Sequence, residues 1–332
     1  MKKKCDSAVL FPAPQNGDES LPPLLRQMSG PISFGLTNAY MFVAVLQNNQ
    51  EALANLIAAI LHIDRSEILS LEILNPIVLG EAADEKACVM DILVLLNGNI
   101  KINLEMQVLN EGNWNDRGVY YLAKNITDLK AGEDYSEMKT AIQVGILDFD
   151  LWKDGVNPFF QKYEFWDIKN NRRFTDKASI HVISLKQLEN AEDEERLSGL
   201  YDWAKVFKTT TWEEMKALAA QNKIISDAAT TMASLSEDER IKIQCLQREK
   251  AERDRLHSMR YAQRLQEQAL KDGWEKGLEQ GIEQGLATGR QEEANRLNSL
   301  IRKLAALGRT SDIVKGAGDP AYQAKLLEEF GL

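Results

Sequence analysis

Two apolar runs joined by Asn97-Gly98-Asn99 constrain this chain more than any other feature. Residues from about Cys88 to Leu96 and from Ile100 to Val108 have strand length, and a short Asn/Gly turn between such runs marks an antiparallel hairpin. Successive side chains of a strand point to opposite faces. Ile100, Ile102, Leu104, Met106 and Val108 therefore share one face, and Lys101, Asn103, Glu105 and Gln107 share the other. A three-residue loop, 97 to 99, pairs Leu96 with Ile100 and sets Asp91 directly opposite Glu105, with Cβ atoms about 4.5–5.5 Å apart. A two-residue loop shifts the pairing by one and turns Asp91 to the other face. Gly98 tolerates positive φ and suits the longer loop.

Two carboxylates that close repel, and one takes a proton unless a cation joins them. Mg²⁺ prefers oxygen ligands and keeps several waters, so one or two carboxylates suffice to hold it. Such an ion can polarise a phosphoryl oxygen and acidify a bound water. Gln107 adds an amide that can orient water or phosphate, but it carries no positive charge. The same spacing also suits polar residues on the wet face of a half-exposed hairpin, and spacing alone does not separate the two readings.

The rest of the chain frames this hairpin. Residues 1–35 hold five of the eight prolines and read as a loose, flexible tail. Apolar spacing predicts a helix from about Tyr40 to Leu61 and a strand from Leu71 to Val78. A helix follows the hairpin from Trp114 to Lys130, with Asn113 as N-cap. Strands are expected near 140–149, 162–168 and 180–185. This order gives an α/β or α+β domain over 36–185, then a helical extension over 186–235 in which Leu197, Leu200, Ala204 and Phe207 form one stripe. Residues 236–303 carry 14 Lys/Arg and 13 Asp/Glu, a balance that suits a long helix with solvated i,i+4 pairs better than a nucleic-acid tail. Within it Gly273, Gly277, Gly281, Gly285 and Gly289 recur every fourth residue. Each glycine disfavours the helix by roughly 1 kcal/mol against alanine. Close approach of another helix explains them, which predicts a homo-oligomer through the C-terminal helical region; a flexible linker is the other explanation. Residues 304–332 read as a small helical cap.

Composition removes several function classes. Cys5, Cys88 and Cys245 contain no CxxC pair, and the three histidines lie far apart, so disulfide scaffolds and zinc sites are not expected. The net charge of -10 excludes a globally basic nucleic-acid footprint. No run approaches the ~18 apolar residues of a membrane span, and Asp6 with the prolines at 12 and 14 interrupts any signal-like segment after Lys2–Lys4. A cytoplasmic protein without a membrane partner is expected. No GxxxxGK[ST] loop is present.

Several stretches together resemble one family. Asp91-x13-Glu105-x-Gln107 is similar to the PD-(D/E)XK nuclease signature in its D…ExQ form. Leu36-Thr37-Asn38-Ala39-Tyr40-Met41-Phe42, Met90-Asp91-Ile92-Leu93, Leu104-Glu105-Met106-Gln107, Arg117-x2-Tyr120-Tyr121, Gly132-Glu133-Asp134-Tyr135 and Gly145-Ile146-Leu147-Asp148-Phe149 resemble the recombination-promoting nuclease/putative transposase family, as does the glycine-spaced tail. The resemblance covers roughly residues 34–300. It implies an α/β fold, a restriction-endonuclease-like mixed sheet flanked by helices with a long helical C-terminal region. It also implies a Mg²⁺-dependent (or Mn²⁺-dependent) DNA endonuclease that promotes recombination or mobile-element movement. By that likeness Asp91 and Glu105 ligate metal with the Met106 carbonyl, and Gln107 stands where lysine is commoner. Arg117, Tyr120, Tyr121 and Lys124, at i, i+3, i+4 and i+7, would contact DNA; the tyrosines equally suit packing on the sheet. The chain departs from the family at Ala39, where relatives carry an acidic residue, and at Val43, where they carry a basic one. That departure supports the alternative of a catalytically weakened nuclease-fold interaction protein that self-associates through its C-terminal helices. A true transposase core needs three carboxylates in another topology, and no third partner is evident.

Overall fold

A computed structural model describes residues 20–75, 91–126, 129, 132–152 and 155–332. Two compact units divide between Leu256 and His257. The first holds a six-stranded mixed sheet: β1 (Leu71–Ile73), β2 (Asp91–Leu96), β3 (Ile100–Gln107), β4 (Thr140–Leu147), β5 (Phe160–Glu164) and β8 (Ala178–Ser184), with a separate two-stranded ribbon of β6 (Trp166–Asp167) and β7 (Arg172–Arg173). The strand order is β1-β2-β3-β4-β8-β5. β2 runs antiparallel to β1 and β3, β3–β4 and β4–β8 are parallel, and β5 returns antiparallel at the edge. A parallel pair needs a crossover, and α4 (Trp114–Ile126) supplies it between β3 and β4. The restriction-endonuclease-like α/β architecture is therefore present.

The two faces of the sheet are packed differently. Ile102, Leu104 and Met106 of β3, Val144 and Ile146 of β4 and Ile183 of β8 enter one large core. That core is completed by α1 (Pro23–Gln27), α2 (Ala39–Asn48), α3 (Gln50–Leu61), α6 (Leu200–Lys208), α7 (Trp212–Ala219) and α8 (Lys223–Glu237). Trp203 and Phe207 of α6 lie in the same cluster as Leu46 and Leu53, so the helices after residue 185 share the core of the sheet. Short α5 (Asp193–Leu197) precedes them. α4 covers the other face, where Trp114, Leu122, Ala141, Ala178 and Val182 form two smaller apolar clusters. Trp114 lies so close to Gly145 that a Cβ there would stand 2.2 Å from the indole Cζ2. Gly145 is thus required by close approach, not by its backbone angles.

Several expected boundaries move. Residues 20–35, expected inside a loose tail, are packed: Leu25 is fully buried, and the Ile32 amide donates to the Thr210 carbonyl at 2.8 Å. Residues 1–19 lie outside the described residues, as do 76–90 with the end of the first expected strand and the start of the second. The single helix expected over 40–61 is two. Asn49 breaks it with φ −132° and ψ 82°, and its side chain caps α3 by accepting from the Ala52 amide. The strand expected over 162–168 is β5 followed by the ribbon.

α9 (Glu239–Ala306) begins in the first unit and continues into the second, followed there by α10 (Thr310–Gly318) and α11 (Pro320–Glu329). Leu300, Leu304 and Leu326 form a small core with Tyr322 and Phe330. Asp319 caps α11, accepting from the Ala321 and Tyr322 amides, and Pro320 occupies the first helical position, where its missing N–H is harmless. Around the five spaced glycines α9 is exposed, and among the described residues nothing beyond the adjoining helix backbone lies within 4 Å of where a Cβ would stand. No helix of the described residues is long and apolar enough to cross a membrane.

Candidate active site

The turn fixes the hairpin register. Asn97 and Gly98 both adopt positive φ, 49° and 73°. The Asn97 side chain accepts from the Leu69 and Ser70 amides and donates to the Glu67 carbonyl, which pins the loop to the chain before β1. Leu96 pairs with Ile100, and Asp91 stands opposite Glu105. The backbone carbonyl of Asp91 accepts from Asn75 Nδ2 on the β1 side. The Gln107 carbonyl accepts from the Asp148 amide beyond β4, so by alternation the backbone of Glu105 also faces β4. Asp91 and Glu105 are therefore a non-hydrogen-bonded pair, the kind in which facing side chains come closest. The same alternation turns the Met106 backbone toward β2.

Both carboxylates are buried, Asp91 at 8% exposure and Glu105 at 6%. Burial holds the pKa of each above the ordinary carboxylate range. For Asp91 a hydrogen bond from Asn103 and the positive charges of Arg117 and Lys124 act against that shift. For Glu105 the Arg117 and Arg248 charges oppose it, while Asp91 and Glu111 add to it. Asn103 also donates to Gln143 Oε1 at 3.1 Å, so a polar seam runs across β2, β3 and β4. Gln107 donates through Nε2 to the Leu109 carbonyl at 2.8 Å.

Among the described residues, two acceptors in this seam lack a donor: Glu105 Oε2 and Gln107 Oε1 are buried with no hydrogen-bond partner there. A buried acceptor left without a donor carries its full desolvation penalty. A divalent cation with its waters satisfies such atoms, and the donor set is all oxygen, as Mg²⁺ or Mn²⁺ prefers. Among the described residues no group of three or more His, Cys, Asp or Glu side chains could hold a metal. The acidic side chains that the described residues bring face to face here are Asp91 and Glu105.

α4 brings its charged side to the carboxylates. Asn113 accepts from the Arg117 amide at the start of the helix, and Trp114 seats that end on Gly145, the residue paired with Glu105. Arg117 Nη2 then ion-pairs with Glu105 Oε1, and Nη1 lies 4.0 Å from Glu111. Tyr121 is half-buried; burial raises its hydroxyl pKa, with Arg117, Asp91 and Glu105 all near enough to act on it. Tyr120 is 64% exposed, its ring edge-on to Tyr121. Lys124 is exposed, close enough to Asp91 to influence it. Arg117, Tyr121 and Lys124 therefore converge on the carboxylates, and Tyr120 faces solvent.

Three charged residues of α9 complete the cleft, and sequence reading missed them. Arg248, Glu252 and Arg255 line it with Glu105, Glu111 and Arg117. Arg255 pairs with Glu111 at 2.6 Å. Arg248 Nε lies 2.8 Å from Glu252, although its N–H is not aimed at that oxygen. The missed signal is a stripe: Ile241, Cys245, Arg248, Glu252 and Arg255 follow helical spacing, and the first two are buried. Asn38 ties α2 to the same helix, donating to the Cys245 carbonyl at 3.1 Å and capping α2 by accepting from the Tyr40 and Met41 amides. Ala39 begins α2, 1% exposed, and adds no oxygen.

A family model described as PD-(D/E)XK nuclease family transposase matches residues 38–262. The chain belongs to that family. No curated protein and no solved structure matches it. The family span runs from the Asn38 cap through the carboxylate hairpin and α4 to the α9 turns that carry Arg248, Glu252 and Arg255. Membership of this family supports a nuclease/transposase-like function.

Proposed function

We propose that the protein is a Mg²⁺-dependent DNA endonuclease that hydrolyses phosphodiester bonds during recombination or mobile-element movement. The observation that carries this reading is the buried, directly opposed Asp91–Glu105 pair, in which Glu105 Oε2, like the neighbouring Gln107 Oε1, has no donor among the described residues. Asp91 and Glu105 would hold the ion, with the Met106 carbonyl as a further oxygen. A bound Mg²⁺ would polarise the scissile phosphoryl group and acidify a water.

The chain's own residues perform the remaining tasks. Gln107, fixed through Nε2 by Leu109, keeps Oε1 available to accept a hydrogen bond from a water and so to orient it. Arg117 presents a forked cation beside Glu105, suited to a phosphate oxygen. Tyr120, Tyr121 and Lys124 are assigned to the DNA backbone on the same side. The α9 segment with the spaced glycines is assigned to self-association, checked by light scattering of the full chain against one with these glycines replaced by glutamate.

Nicking of supercoiled plasmid tests the reading. Product should form with Mg²⁺, disappear with EDTA and be lost in Asp91→Ala. Nicking that survives EDTA or that substitution would sink it. Ala39 favours a second reading, a catalytically weakened interaction protein. Absence of nicking in Mg²⁺ and in Mn²⁺, with oligomers retained, would select it.

A further inference from the structure

The sheet face that bears the carboxylates continues beyond α4 to the edge strand β5, which leads into an exposed aromatic track. Glu105, Gly145, Val182 and Gln161 form one row across β3, β4, β8 and β5. Gln161 and Tyr163 alternate with Phe160, which packs into the core, so they point to the carboxylate side of the sheet. Trp152 lies against both, its Nε1 at 3.1 Å from Gln161 Oε1 and 3.2 Å from the Tyr163 hydroxyl. Phe165 follows directly after β5, at the break before the ribbon, and the Phe174 amide donates to its carbonyl at 2.8 Å, extending the β6–β7 register by one pair. Cross-strand partners share a face, so Phe174 joins the track with Arg172 two residues away. Phe165 is 51% exposed and Phe174 84%.

The charge around these rings is positive in an acidic protein. Residues 160–177 hold five Lys/Arg and three Asp/Glu, within a chain of net charge -10. Two of the acids are engaged: Glu164 by Lys162 and Arg173, and Asp167 by the Lys169 amide and by Asn170 in the turn. Arg172 and Lys169 are exposed, with no ion-pair partner among the described residues. Solvent-facing rings interleaved with unengaged cations fit a polyanion whose units have flat π faces. In a duplex those faces are covered by stacking, so the matching ligand has unpaired bases.

We propose that Phe165, Phe174 and Tyr163, with Arg172, form a stacking platform for the unpaired bases of a DNA strand. At about 4.8 Å between strands and 3.3 Å per residue, the start of the platform lies roughly 20 Å from Glu105. The protein therefore engages DNA with a single-stranded segment a short distance from the bond it cuts. That the nucleic acid is DNA rests on the endonuclease reading above; the stacking itself does not.

Fluorescence anisotropy of the full chain in EDTA, where no cleavage occurs, separates the two. The probes are a labelled single-stranded oligonucleotide and a blunt duplex of the same sequence. The intact protein should bind the single strand more tightly. Phe174→Ala should weaken single-strand binding by about tenfold, and adding Phe165→Ala by about tenfold again. Phe174→Trp should restore it, and Arg172→Ala should lower the salt dependence. Unchanged single-strand affinity in the double alanine variant overturns the proposal. So does equal loss on both probes, or a change in oligomeric state in place of DNA affinity, which marks a protein-docking surface. Plasmid nicking without ring-dependent binding leaves the endonuclease standing and removes the platform; ring-dependent binding without nicking does the reverse.

Discussion

The two faces of one strand divide the work of this protein. On one side of β3, Ile102, Leu104 and Met106 disappear into hydrocarbon. On the other, Asn103, Glu105 and Gln107 are equally buried but carry polar atoms, two of them without partners among the described residues. Burial on the first side stabilises the fold, at about 25 cal/mol per Å² of apolar surface. Burial on the second side works against it, because both carboxylates are held above their ordinary pKa. Alternation along a single strand thus lets a stable scaffold hold an unfavourable charge pair within one residue of its core, and such tension is what a cation site requires.

The sharpest way to break this comparison is to swap faces by one residue. Leu104→Ala should lower unfolding stability by about 2–5 kcal/mol, as buried leucines generally do, measured by urea denaturation. Glu105→Ala, its neighbour, should lose nicking yet fall far less in stability. Equal destabilisation by both would mean that the polar face also supports the fold. Gly145→Ala comes next. Its new methyl would meet Trp114 at 2.2 Å, and overpacking of this kind costs about 1–3 kcal/mol. Because Trp114 seats the helix that carries Arg117, nicking should fall with stability; full activity in this variant would show that the placement of α4 does not matter.

The difference between the faces also explains what the sequence disclosed. Apolar alternation and the Asn97-Gly98 turn specify register locally, so the opposition of Asp91 and Glu105 was legible. The sheet order, with β8 inserted between β4 and β5, depends on long-range pairing that no local pattern records. Asn49 ends one helix and caps the next inside a continuous apolar pattern, so α2 and α3 read as one. Arg248, Glu252 and Arg255 were hidden because their residue types match the solvated remainder of α9. Only the buried Ile241 and Cys245 one and two turns earlier mark that face as inward. Phe165 falls inside the strand expected over 162–168, and alternation reports which side a residue takes, not whether anything covers it; Phe174 lies outside every strand the sequence predicts.

The smallest expected effect is the most diagnostic, because it differs in sign between the faces. On the core side His181 is 3% exposed, and burial, with the Lys162 and His62 charges, pushes its pKa down to about 4, against a weaker opposing pull from Glu164. Unfolded, that imidazole takes a proton near its ordinary value of 6.5. Its contribution to stability is therefore full above that value and lost as pH falls toward about 4. Asp91 behaves oppositely: with its folded pKa raised, stability is full below the ordinary carboxylate value and is lost as pH rises through the folded one. Thermal unfolding in EDTA from acid to mildly alkaline pH should accordingly show Asp91→Asn melting above the unsubstituted protein at neutral pH, by a margin that closes as the pH falls into the carboxylate range. Adding Mg²⁺ should close the same margin at constant pH by stabilising only the protein that retains the carboxylate. A margin independent of pH would mean that Asp91 is charged at no energetic disadvantage. A margin that Mg²⁺ leaves unchanged would detach the buried pair from cation binding while leaving the register of the hairpin untouched.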